Sequence, residues 1–227
     1  MKTAVVSPVS GADIARAAAL ITQGALVAFP TETVYGLGAN GLDAAACARI
    51  YAAKGRPSDN PLILHVADLA MAKQVVQGLT PAAAHLFTAF APGPLTVILP
   101  KRAQIPDVVT GGLTSVGIRC PDSDIARTLI RMSGVPIAAP SANLSGRPSP
   151  TTAAMVYDDL AGRSSSMAGH LYGAWNPPSS TAQRRIVLQF CVRGRLRLRW
   201  LQRSCPMWMF ASILPCSEQI PCRVRPV

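Results

Sequence analysis

Apolar residues recur at helical spacing between positions 11 and 22, with Ile14, Ala18 and Ile21 on one face, which predicts a first helix there. Residues 25–29 form a short apolar run that reads as a buried strand. Asp43 is placed as the N-cap of a second helix that runs through Ala53 and is ended by Gly55 and Pro57. Residues 62–66 and 95–99 are further strands, the second opened by the turn-forming Pro92, Gly93 and Pro94. Residues 80–90 read as a helix, 115–119 as a strand, 123–132 as a helix capped by Ser123, and 136–139 as a strand. This alternation predicts an α/β domain with its polar loops gathered at strand ends.

Four of those loops carry chemistry. PTETVYGLG at 30–38 sets a hydroxyl and carboxylate cluster beside Gly36 and Gly38. It reads either as a polar turn with glycines at positive φ or as backbone that approaches a ligand closely. KGRPSDNPL at 54–62 places Lys54 and Arg56 at a helix end, where they either complement the dipole in water or pair with phosphate oxygens. TSVGIRCP at 114–121 puts Arg119 on an apolar strand, where a charge must be paired or face a cleft. APSANLSGRPSPT at 139–151 crowds Ser141, Asn143, Ser145 and Arg147 at a strand end, as a polar turn or an anion cradle. His65 ends a strand and taken alone reads as structural more readily than catalytic.

Composition narrows the choices. The chain has 227 residues, enough for one or two domains, and 49% are hydrophobic, which reads as folded. Pro8, Asp13 and Arg16 interrupt any signal-peptide core, and no stretch has the length of a membrane span, so a soluble, cytoplasmic protein is expected. Six cysteines form no CxxC pair and only three histidines accompany them, which disfavours zinc and disulfides. The sequence lacks GxxxxGK[ST], GxSxG and HExxH, so these loops bind and orient rather than attack covalently.

The net charge of +11 is unevenly spread. Residues 164–227 hold nine arginines, no lysine, a single acid (Glu218), all three tryptophans and four of the six cysteines. Their apolar residues follow neither a helical nor a strand period. Reading each codon's third base with the next codon's first two forces Gly at Met167–Ala168, Glu at Trp175–Asn176 and Leu at Phe190–Cys191. Around those anchors the permitted residues include GGP, then VESTVVD across 174–181, then ILRPGA across 189–195.

The ordered motifs PTETVYGLG, KGRPSDNPL, SVGIRCP and APSANLSG resemble the YrdC/Sua5 family of threonylcarbamoyl-AMP synthases, over residues 24–162. The family continues with DGGP, VGVESTVVD and LRPG, the motifs encoded in the other frame. Residues 1–163 are therefore expected to form a truncated YrdC-like domain, and 164–227 an out-of-frame, poorly ordered or non-native tail. The resemblance implies a twisted mixed sheet with flanking helices around a basic concave cavity. It also implies a nucleotidyltransferase reaction: L-threonine and bicarbonate or CO2 form a carbamate that attacks the α-phosphate of ATP, releasing pyrophosphate. A separate threonylcarbamoyl transferase would then complete the t6A37 modification of tRNA.

By the same resemblance Thr33, His65, Arg119 and the Ala139 backbone contact threonine, with Arg119 gripping its carboxylate bidentately. Arg56, Asn60, Ser115, Ser141 and Ser149 contact ATP, and Lys54 is a phosphate partner. Magnesium is expected to arrive with the ATP phosphates rather than in a protein cage. The family's serine in VESTVV, which reaches threonine, and its arginine in LRPG, which reaches ATP, have no counterpart in the translated residues. Reduced or absent catalysis is therefore expected of this chain. The alternatives are a YrdC-like protein that binds double-stranded RNA or tRNA without turnover, and an inactive frameshifted family member.

Overall fold

Ten strands and seven helices arise in the computed structural model, which describes residues 4–6, 10–161, 170–172, 186–190 and 196–199. In chain order they are β1 (Ala4–Val6), α1 (Gly11–Thr22), β2 (Val27–Pro30), β3 (Tyr35–Asn40), α2 (Ala44–Lys54), β4 (Ile63–His65), α3 (Leu69–Val75) and α4 (Pro81–Phe90). Then follow β5 (Leu95–Pro100), α5 (Asp107–Thr110), β6 (Ser115–Arg119), α6 (Asp124–Ser133), β7 (Ile137–Ala138), α7 (Ala153–Leu160), β8 (His170–Tyr172), β9 (Ile186–Phe190) and β10 (Leu196–Arg199).

Helix boundaries follow their caps. Ser10 and Asp13 make a reciprocal capping box on α1, and the Asp43 carboxylate accepts from the amides of Ala45 and Ala46 at the start of α2. Thr80, Ser123 and Thr152 cap α4, α6 and α7 with their hydroxyls. Gly55 and Gly134 end α2 and α6 in the left-handed conformation that a side chain disfavours.

The central sheet runs β2-β3-β7-β4-β6-β5, with β8 and β1 beyond β2 and with β9 and β10 beyond β5. Pairing is mixed: β4 is parallel to β6, whereas β2–β3, β3–β7, β4–β7 and β5–β6 are antiparallel. The fold is thus the expected twisted mixed sheet with flanking helices. Alternation along the strands divides the apolar side chains between two cores. Val27, Phe29, Ile137 and Ala139 pack with α1 and α6, while Leu26, Ala28, Leu37 and Ala138 join the larger core with α2 and α4. Among the described residues no helix is long and apolar enough to cross a membrane.

One sequence expectation needs correcting at 35–40. That segment is not a glycine turn but a buried strand, and neither Gly36 nor Gly38 has positive φ. A Cβ on Gly38 would lie 2.7 Å from both Ile137 Cγ2 and Phe29 Cε1, so hydrogen at this position is what lets β2 and β7 close on β3. The sequence pattern also leaves out α3, α5 and α7, which are short or capped by threonine and aspartate in otherwise loop-like stretches. The tail is described only as the backbone of β8, β9 and β10; the expectation of disorder for 164–227 otherwise lies outside the described residues.

Lys54 ties this scaffold to the site. Its side chain is buried at the end of α2, and its ammonium donates to the carbonyls of Ser141 and Asn143. The amide of Ser145 in turn donates to the Lys54 carbonyl. Burial pushes the ammonium down from 10.5 to about 8, helped by Arg56 and opposed by Asp159, which leaves it protonated at neutral pH.

Two stability outcomes are expected. Gly38→Ala should cost about 1–3 kcal/mol through overpacking against Phe29 and Ile137, read by urea unfolding. Lys54→Met keeps the bulk but strands two carbonyls, at about 1–3 kcal/mol for each buried acceptor left without a donor. Between pH 8 and 10.5 the unfolded chain holds a proton on Lys54 that the folded chain has released, so stability gains a rising component with pH there. Urea midpoints across that window should lose this component in Lys54→Met.

Candidate active site

The connection from β2 to β3 is shaped by Thr31. Its hydroxyl donates to the Val34 carbonyl at 2.7 Å and accepts from the amides of Thr33 and Val34 at 3.3 Å. That hydroxyl has one proton, so in its 3.1 Å contact with Thr33 Oγ1 it is Thr33 that donates. Thr33 Oγ1 remains an acceptor, and Arg119 Nη2 donates to it at 3.1 Å. A directed chain of hydrogen bonds thus leads from the guanidinium through both threonines to the backbone.

Arg119 closes β6 and is only 2% exposed. Its charge is met by Glu32, whose Oε1 lies 2.5 Å from Nη2. The parallel register of β4 and β6 sets His65 beside Arg119, and the His65 ring packs edge-on against Phe29 with centroids 6.0 Å apart. An inner bridge between Gly36 and Ser141, with Ala142 N–H donating to Tyr35 O, draws the 139–143 loop against β3.

These elements surround a small pocket that opens to solvent, with a cavity volume of about 20 Å³. Thr31, Thr33, Gly36, His65, Arg119, Ala139 and Ser141 line it, with Val34, Tyr35, Ile63 and Pro140 supplying the remaining wall. All four residues expected to contact threonine therefore converge, together with Ser141 from the ATP set. A buried guanidinium beside hydroxyls, an imidazole and backbone suits a small ligand with a carboxylate and a hydroxyl.

The remaining ATP-set residues do not line this pocket. Arg56 and Asn60 are together, but through backbone: Arg56 Nε donates to Asn60 O at 3.3 Å and Nη2 to Pro61 O at 3.2 Å. Lys54 is committed to the 141–143 loop, while Ser115 and Ser149 are half-buried at the start of β6 and beside Pro150. Asn143 Nδ2 donates to the carbonyls of Leu144 and Arg147 at 2.7 Å, which folds its own loop rather than opening it. Among the described residues no group of three or more His, Cys, Asp and Glu gathers as a metal site. Glu32 is the residue the sequence left without a role; the acid between two threonines was visible, but its partner is 87 positions away.

Comparisons with known proteins identify the family and the fold. The family model Sua5/YciO/YrdC, described as telomere recombination, matches residues 19–180. The chain is 54% identical over 147 residues to a threonylcarbamoyl-AMP synthase of Pyrococcus abyssi, covering 65% of this chain and 43% of that protein. It is 56% identical over 151 residues to the Bacillus subtilis protein of the same name, covering 66% of this chain and 44% of the relative. The chain thus spans less than half the length of these curated relatives. A solved structure of Pyrococcus abyssi Sua5 complexed with L-threonine superposes with a TM-score of 0.75 at 43% identity, covering 84% of this chain and 54% of that one. Escherichia coli YciO, at 21% identity and a TM-score of 0.67, shares the fold. A family model matched over most of the chain, on a sheet of the same architecture, makes this protein a member of the Sua5/YciO/YrdC family.

Proposed function

We propose that the pocket at Arg119 binds L-threonine for synthesis of threonylcarbamoyl-AMP from L-threonine, bicarbonate or CO2, and ATP, with release of pyrophosphate. The observation that carries this reading is the buried Arg119 guanidinium, presented with Thr33, His65 and Ala139 in one pocket, in a chain 43% identical to a protein solved with L-threonine. Arg119 holds the carboxylate; Thr33 and His65 fix the orientation of the side chain and amine. The reaction then needs positioning and charge stabilisation rather than a protein nucleophile. Ser141 lines this pocket from the loop held by Lys54, where the ATP phosphates would meet the carbamate, with magnesium brought in on the nucleotide. The product would pass to a threonylcarbamoyl transferase acting on tRNA.

In this reading Lys54 positions the loop before it meets a phosphate: two of its three N–H donors go to carbonyls of the very loop that carries Ser141, which leaves one for a phosphate oxygen. The tail bears on turnover: as translated it has neither the serine of VESTVV nor the arginine of LRPG. The chain should hold the threonine half of the site and lack contacts needed for adenylation.

Two measurements test these points. Arg119→Lys should weaken L-threonine binding by on the order of a hundredfold in calorimetry, because a point charge replaces a planar fork; unchanged binding removes Arg119 from the carboxylate role. Pyrophosphate release dependent on threonine and bicarbonate should be weak or absent in this chain. A chain whose coding frame is restored from codon 164 should gain on the order of a hundredfold, for two recovered polar contacts. Robust release from the present chain overturns the tail reading.

A further inference from the structure

Arg119, which lines the pocket, is already paired with a carboxylate, that of Glu32. A carboxylate can grip a guanidinium through two parallel N–H bonds in only two ways, side-on through Nε and Nη2 or end-on through Nη1 and Nη2. Both use Nη2. In this structure Nη2 of Arg119 donates to Glu32 Oε1 at 2.5 Å and to Thr33 Oγ1 at 3.1 Å, so both of its protons are engaged. A substrate carboxylate therefore cannot be held bidentately until one of these partners leaves.

Glu32 is the one that yields. Thr33 is uncharged, buried, and fixed from behind by Thr31. Glu32 carries the same charge as the incoming group, and its side chain is 15% exposed against 3% for Arg119. The pair is also incompletely satisfied: Glu32 Oε2 and Arg119 Nε are buried without a hydrogen-bond partner. Moving Glu32 toward water relieves Oε2, and a side-on ligand would satisfy Nε.

The geometry points to Glu32 as a resident placeholder: it neutralises Arg119 and is exchanged for the substrate carboxylate on binding. This rests on the reading of Arg119 as the carboxylate clamp of the threonine site. The exchange swaps one carboxylate for another on the guanidinium, so Arg119 is never left buried alone. It also lowers apparent affinity, because the fraction of molecules with Glu32 withdrawn limits binding. A ligand without a carboxylate cannot drive the exchange, which makes Glu32 a filter for acids.

The test compares the wild-type chain with Glu32→Gln, which keeps shape and removes charge, using L-threonine and acetate as probes in calorimetry. Both probes should bind Glu32→Gln more tightly, on the order of tenfold. The variant should also melt lower in carboxylate-free buffer and be stabilised by either probe more than the wild type is. If Glu32→Gln does not fold, Glu32→Asp, whose carboxylate is withdrawn from Nη2 by one methylene, provides the same comparison with a smaller gain. Equal or weaker binding of both probes by the variant overturns the placeholder. Loss of threonine binding in the variant with wild-type binding intact also overturns it, and assigns Glu32 to the amino acid's ammonium group instead. Tighter acetate binding with no threonine binding by either chain leaves the placeholder standing and removes the threonine reading.

Discussion

A permanent charge buried at the end of a central strand is the constraint around which this domain is organised. Arg119 cannot shed its proton, so its place on β6 requires an anion and several acceptors within reach. They come from the connection between β2 and β3, which lies far away in sequence and on the other side of β7 and β4 in the sheet. Glu32 and Thr33 meet the guanidinium; Thr31 locks the connection that presents them. Removing one member of such a pair typically costs about 3–5 kcal/mol, so the same contacts that prepare a carboxylate site also fasten the sheet across its middle.

The cations outside the pocket serve the scaffold in a different way. Lys54 and Arg56 flank the left-handed Gly55, and each directs its donors to backbone carbonyls: Lys54 to Ser141 and Asn143, Arg56 to Asn60 and Pro61. From α2 they organise the two loops that flank the site. A lysine at a helix end that looked free in the sequence is thus an internal strut, and its depressed pKa follows from that burial.

Much of this was legible from local chemistry. Cap residues fixed the starts of α2 and α6, the apolar period placed α1, and β6 was placed at its observed bounds by its apolar pattern. β3 was not legible, since Gly36 and Gly38 carry a turn's signature while their cause lies across the sheet in Phe29 and Ile137. The threonine-set residues came from the family resemblance, and the sequence alone showed only that Arg119 needed a partner or a cleft. That it has both, and that the partner is Glu32, depends on a contact spanning 87 positions that no local pattern encodes.

The site also divides along the chain. Every described residue lining the pocket falls between Thr31 and Ser141, within the span matched by the family model and ahead of the charge and composition break. On the proposed function, recognition of the amino acid is assembled by residues ahead of that break. Adenylation would differ, because under the proposed change of reading frame part of its ATP-facing wall is encoded beyond the break and not translated. Binding and turnover would then rest on separate stretches of sequence, and the loss of the second would leave the buried guanidinium, its two threonines and its carboxylate partner intact.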